Sequence, residues 1–194
     1  MSVTSPDGLS FRDLAFSDLA RYRPTETPTW RGVLKRCLST PGMTASLILR
    51  AQQVAFHSGH VKTSFLLRSF GLTLVGADFN PGMTVGPGLM MPHPPGIVIG
   101  QTLVMGANVT LGQGVTTGHR YPDRPSDGMP VICDGAIVLA NAVLVGPIRI
   151  GQHALVGPNS VLLTDAPDHA VMVGSPARQV SKREGIIPGS FDQL

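Results

Sequence analysis

Two rhythms divide the chain. Up to about residue 75 the apolar positions recur at helical spacing, and beyond it they recur every six residues. Residues 1–30 are polar and rich in Pro and Thr around RYRPTETPTW, and the pattern there predicts one short helix near Phe11–Tyr22. In TASLILRAQQVAFHSG, Leu47, Arg50/Ala51, Val54 and Ala55 fall at three- and four-residue intervals, with Gly59 ending the helix. VKTSFLLRSFGLTLVG reads as a further helix with Leu66, Leu67 and Phe70 facing inward. Residues 1–75 are therefore expected to form a helical N-terminal region.

From about Gly76 to Val173 aliphatic residues are followed by small ones: Val85-Gly86, Ile99-Gly100, Met105-Gly106, Leu111-Gly112, then Leu139-Ala140, Val145-Gly146, Ile150-Gly151 and Val156-Gly157. Ile99, Met105 and Leu111 are six apart; so are Cys133, Leu139 and Val145, and then Ile150, Val156 and Leu162. The step from Val145 to Ile150 is five, which reads as a slip at a corner. An aliphatic residue every six positions stacks on its equivalents in neighbouring coils, and the small residue after it sits where the chain turns. Three hexads make a triangular coil of about 18 residues, and stacked coils share one aliphatic core. A β-sandwich, the other Gly-rich β architecture, alternates with period two and spaces its turns unevenly. The expected division is a solenoid over 76–173, an interrupting loop at 119–130 and a C-terminal tail over 174–194.

Composition sharpens this. Aromatics make up 5% of the 194 residues and charged residues 14%, while hydrophobics reach 42%, with 23 Gly and 17 Pro. Such a chain buries a core, and few aromatics suit a narrow prism. The net charge of +3 is spread without a basic run, so nucleic acid is not expected as a partner. Cys37 and Cys133 form no metal-ligand spacing and read as free thiols in a reducing cytoplasm. No apolar stretch reaches the length of a membrane span and no signal-peptide pattern opens the chain, so neither a membrane nor export is expected.

The solenoid and the ending Gly174-Ser175-Pro176-Ala177-Arg178 resemble the hexapeptide-repeat acyltransferases, and within them the serine acetyltransferase group. The resemblance runs from near Arg50 to Arg178 and implies a left-handed parallel β-helix. It also implies an Asp and a His fifteen residues apart, matched here by Asp78 and His93 in GADFNPGMTVGPGLMMPHPPGIVIG. Imidazole titrates near neutrality and can take a hydroxyl proton as it attacks a thioester, so His93 is the expected general base. Asp78 is the expected orienter of its ring. His119, in TTGHRYPDRP, is the rival base or an acceptor contact, and Arg120 and Arg124 in the same loop are candidate acceptor contacts. The resemblance further implies acetyl-CoA as acyl donor, lying between two solenoids against Gly118, Ala140 and Gly157, with Gly174, Pro176, Arg178 and Lys182 toward its nucleotide end. It also implies a homotrimer or a dimer of trimers, and no metal.

Departures from the family pattern bear on the acceptor. Pro92 stands where the family places a second Asp beside the catalytic His, and Gly128 and Met129 stand where it places an Arg-His pair. A serine site needs partners for an ammonium and a carboxylate. The chain is therefore expected to be an acetyl-CoA-dependent O-acetyltransferase acting on a less charged small hydroxyl compound. The alternatives are a serine O-acetyltransferase proper, or a non-catalytic β-solenoid that binds a ligand. His57 and His60 are read as a helix face, His153 as outward-pointing, and Cys133 as a buried thiol in an inward aliphatic slot.

Overall fold

The computed structural model describes residues 8–121, 123 and 128–183. Four helices come first: α1 (Phe11–Tyr22), α2 (Trp30–Ser39), α3 (Pro41–His57) and α4 (Val61–Val75). Ser10 and Asp13 form a reciprocal cap at the start of α1, Thr29 accepts from the Gly32 N–H at the start of α2, and Pro41 opens α3. Helix α3 is the hub and packs on the other three. It buries Met43, Ala45, Ile48 and Leu49 together with Ser46, Arg50, Gln52 and Gln53.

Helix α4 is turned away from its expected orientation. Leu66 and Phe70 are 71% and 55% exposed, and the buried positions are Ser64, Gly71 and Val75. The cause is close packing on α3: Ser64 donates to the Gln52 carbonyl (3.0 Å), and a Cβ on Gly71 would stand 3.0 Å from Ile48 Cγ2. Small residues let the two helices approach, and the large ones are left outside. Gly76 then ends α4 in the left-handed region at φ 68°.

The rest is a left-handed parallel β-helix. Its first coil carries β1 (Asp78–Phe79) and β2 (Thr84–Val85), closed by a bridge at Met90. The second carries β3 (Val98–Ile99), β4 (Val104–Met105) and β5 (Thr110–Leu111). The third carries β6 (Thr116–Gly118), β7 (Val131–Ile132) and β8 (Ile137–Val138), the fourth β9 (Val143–Val145), β10 (Arg149–Ile150) and β11 (Leu155–Val156). The last carries β12 (Val161–Leu162) and β13 (Ala170–Gly174), and β14 (Ala177–Lys182) follows. Three parallel faces result: β1-β3-β6-β9-β12, β2-β4-β7-β10 and β5-β8-β11-β13. The segment from 174, expected as a tail, turns back so that β14 pairs antiparallel with β13.

The stack is more regular than the aliphatic–small pairs suggest. Ile132, Val138, Leu144, Ile150, Val156 and Leu162 are all fully buried, an unbroken period of six. Leu139 and Val145 are only half-buried, so the phase expected for 133–145 was one residue late and no slip occurs at 145–150. The pairs mislead because Ala140 and Gly146 follow half-buried residues, while the core positions one step earlier are followed by larger ones. Cys133 accordingly lies at the corner after Ile132 and beside Arg149, and burial pushes its thiol up. Thr117 occupies a core slot and accepts from the Gly100 N–H (3.0 Å), which keeps its hydroxyl satisfied. One continuous core runs from Ala45, Ile48 and Leu49 of α3 to Ala177, and Phe79 is its single aromatic.

Candidate active site

Asp78 lies at the first corner of the solenoid, and the residues that follow His93 return beside it. Strand β1 alternates Asp78 outward and Phe79 inward and pairs with β3. The Asp78 N–H donates to the Ile97 carbonyl and the Gly96 N–H to the Gly76 carbonyl, both at 2.8 Å. Gly96 and Ile97 therefore return directly alongside Gly76–Asp78, three and four residues after His93. Pro94 is buried beneath it and His93 is exposed.

A residue that sequence reasoning missed holds the carboxylate. Arg68 of α4 grips Asp78 with both prongs, Nε to Oδ1 at 2.5 Å and a terminal nitrogen to Oδ2 at 2.8 Å. That hydrogen-bonded carboxylate pushes the Arg68 guanidinium further up. Among the described residues no hydrogen bond joins Asp78 to His93. A carboxylate has about four lone-pair directions, so two remain open for a ring N–H. No sequence signal marks Arg68, because the pairing depends on how the turn at Gly76 folds α4 back on β1.

The loop that carries His93 is anchored from the helices. The Met91 N–H donates to the Tyr22 hydroxyl (3.3 Å), and the α3 backbone at Gly42 packs against the Met91 carbonyl so closely that a Cβ would lie 1.8 Å from its oxygen. Tyr22 carries the Arg36 guanidinium over its ring at 4.8 Å, and burial pushes its phenol up to about 12. Deeper in, Asp18 accepts from the Leu89 N–H (2.8 Å), from Ser46, and from Arg50 twice (2.9 and 2.8 Å). Arg50 spends its other donors on Gln53 (3.2 Å) and on the Val85 and Gly86 carbonyls (2.7 Å each). Both charges are fully buried.

The interrupting loop leaves the first face after β6. His119 is half-buried, and its Nδ1 lies 3.2 Å from the Gly128 carbonyl. A carbonyl only accepts, so that contact makes Nδ1 the donor. Arg120 donates to the Leu163 carbonyl and packs over Gly146. Met129 is buried with its methyl against Gly100 and acts as the plug of the loop. Arg124 lies outside the described residues.

Of the residues expected to hold the acyl donor, Ala140, Gly157 and Gly174 follow one another along the corner that leaves the third face. The ladder bonds there run from the Leu139 N–H to the Val156 carbonyl (2.9 Å) and from the Gly157 N–H to the Met172 carbonyl (2.8 Å). Pro176 and Arg178 are exposed beside them. Gly118 stands on the opposite edge of the first face with open space at its Cα, and Lys182 lies at the far end of β14, opposite Ala170. His153 and His169 stack on each other (5.2 Å between ring centres) at another corner, and His57 and His60 are exposed. Among the described residues no group of three or more His, Cys, Asp or Glu is placed to hold a metal ion.

Known proteins resemble the chain throughout. No family model matches it. The serine acetyltransferase of Bacillus pumilus is 33% identical over 158 residues, covering 80% of this chain and 71% of that protein. The chain belongs to the serine acetyltransferase family. The crystal structure of the Neisseria gonorrhoeae serine acetyltransferase matches with a TM-score of 0.81 at 29% identity, over 95% of this chain and 70% of that one. A serine acetyltransferase solved in complex with CoA matches with a TM-score of 0.76 at 30% identity, over 90% of this chain and 71% of that one. Plant and Haemophilus influenzae members are longer, and the chain covers only 38–43% of them. Family membership makes the chain an acyltransferase of the hexapeptide-repeat kind. It also favours serine O-acetylation over the broader hydroxyl acceptor expected from Pro92, Gly128 and Met129.

Proposed function

We propose that the chain transfers the acetyl group of acetyl-CoA to the hydroxyl of L-serine. The observation that carries this reading is the likeness to serine acetyltransferases over nearly the whole chain. The serine oxygen attacks the thioester carbonyl, His93 takes the hydroxyl proton, and the tetrahedral intermediate collapses with loss of the CoA thiolate, which recovers that proton. Asp78 accepts from the far ring nitrogen through a lone pair that Arg68 leaves open. The acyl donor lies against Ala140, Gly157, Gly174, Pro176 and Arg178 along one corner, at the junction between solenoids of a cytoplasmic homotrimer, while Gly118 and Lys182 stand away from that corner. Its placement is supported by small residues that let a ligand approach the coil backbone.

The interrupting loop, with His119, Arg120 and Arg124, receives the acceptor, and its arginines meet the serine carboxylate. A second reading, a neutral hydroxyl acceptor, is favoured by one observation: Met129 is a buried plug where the resemblance places the His of an Arg-His pair. Thiol release from acetyl-CoA, measured side by side with L-serine and neutral hydroxyl compounds, tests the two. A kcat/KM for L-serine of roughly 10⁴ M⁻¹s⁻¹ or more supports the first reading. Turnover with a neutral acceptor and none with serine overturns it.

A further inference from the structure

Between Glu26 and Asp78 the chain has six Lys or Arg and no Asp or Glu. Buried or half-buried pairing neutralises two of the six, Arg50 with Asp18 and Arg68 with Asp78. Arg31, Lys35 and Arg36 lie on α2, a helix with no acidic residue. Its inner face is Val33 and Cys37, packed in the cluster of Tyr22 and Met43. Its outer face carries Leu34 and Leu38, 64% and 84% exposed, and begins at Trp30, 47% exposed with one side of its ring packed on Phe11 and Phe16 of α1. Arg31 and Lys35 are exposed next to that stripe. Behind them opens a cleft of about 250 Å³ lined by Arg23, Arg31, Lys35, Arg36, Thr29 and Ser39. Its one carboxylate, Glu26, is already paired with Arg23, and the buried Arg36 Nε has no hydrogen-bond partner.

We propose that the outer face of α2 seats the protein on an anionic lipid bilayer, Trp30, Leu34 and Leu38 entering the headgroup boundary while Arg31, Lys35 and the cleft take lipid phosphates. A ten-residue helix is about 15 Å long and lies in the plane of the interface rather than across it. No helix among the described residues is long and apolar enough to cross a membrane, and the attachment proposed, at the surface, departs from the sequence expectation of no membrane partner. Charge chooses the occupant. A second copy meeting this face with its own α2 would set its Arg31, Lys35 and Arg36 against the first set, and α2 holds no acid to pair them. An anionic surface supplies the missing charge.

The full chain is sedimented with vesicles of phosphatidylcholine alone and of phosphatidylcholine with one quarter phosphatidylglycerol. Trp30, the single tryptophan, reports insertion by a blue shift of its emission. The expected result is binding to the anionic vesicles only, weakened by raising salt from 0.1 to 0.5 M. Arg31→Ser with Lys35→Ser should weaken binding on the order of 10–30-fold, about fivefold per cation. Leu34→Ser with Leu38→Ser should abolish it without changing acetyl transfer to soluble acceptors. If that variant misfolds by circular dichroism, the charge variant and the salt series decide. Equal binding to neutral vesicles, or none to either, overturns the proposal. So does an L34S/L38S variant whose only change is a lower mass in light scattering, which assigns the stripe to a contact between copies.

Discussion

Replacing Arg50 with Met removes a guanidinium whose five N–H groups are all used. It leaves the fully buried Asp18 without its counter-charge, which costs about 3–5 kcal/mol when one partner of a buried pair is lost. The Val85 carbonyl keeps a bond from Gln53 Nε2 (3.1 Å), but the Gly86 carbonyl loses its Arg50 donor, for about 1–3 kcal/mol more. Some of these penalties overlap, so the expected loss for Arg50→Met is about 4–6 kcal/mol, a large share of an ordinary domain's stability. Asp18→Asn leaves Arg50 charged and half-partnered, and should cost a similar amount. The double variant buries no charge and should lose less than the two single losses together, with a coupling energy of about 2–4 kcal/mol. Urea unfolding of the three variants, followed by Trp30 fluorescence, measures the cycle. Single losses below about 1 kcal/mol, or losses additive within about 0.5 kcal/mol, would refute the reasoning. Either outcome would mean that water or rearrangement compensates the charges.

Gly42→Ala should destabilise by about 1–3 kcal/mol despite Ala's higher helix propensity, because its Cβ would lie 1.8 Å from the Met91 oxygen; a thermal melt that rises instead contradicts that packing. His93→Ala should lower turnover on the order of 10²–10⁴ with little change in CoA affinity, and Asp78→Asn should lower it without unfolding. If His119→Ala abolishes turnover while His93→Ala does not, the base is His119. Tyr22, pushed up to about 12 in the fold, is held neutral there. Its contribution is complete below pH 10, where the unfolded phenol is also neutral, and is lost as pH rises from about 10 to 12. That contribution is about 2–3 kcal/mol. Tyr22→Phe should remove this alkaline loss in pH-resolved denaturation, and identical slopes for both proteins would count against it.

What the chain spells locally was legible, and what it builds across distance was not. The six-residue rhythm announces the solenoid because one inward residue per hexad must be apolar. Its phase is ambiguous where half-buried Leu139 and Val145 sit beside Val138 and Leu144, because adjacent aliphatics carry no direction. Helix α4 was turned wrongly for a related reason: Leu, Phe and Val crowd every side of it, and Ser64 and Gly71 chose the inner face by being small. The fifteen-residue spacing of Asp78 and His93 is readable along the chain, and the structure brings Gly96 and Ile97, just after His93, beside Gly76 and Asp78. Arg68 on Asp78, Arg50 on Asp18 and Tyr22 on Met91 are partnerships across a fold, and nothing near either partner in the sequence points to the other.

Strand β14 has a consequence for growth. Each coil offers the next the same parallel edge that it received, so no single coil contains an instruction to stop. At the first coil the instruction comes from helices: α1, α3 and α4 lie over the opening, fastened by Tyr22, Arg50 and Arg68. At the other end it comes from chain direction. By reversing, β14 covers the outer edge of β13 with an antiparallel strand whose exposed side chains include Arg178 and Lys182. A further parallel coil would meet the wrong polarity and unpaired charge there. The third face is thus terminated against templating its own copies, and its length is set by a single turn at Gly174 rather than by the repeat.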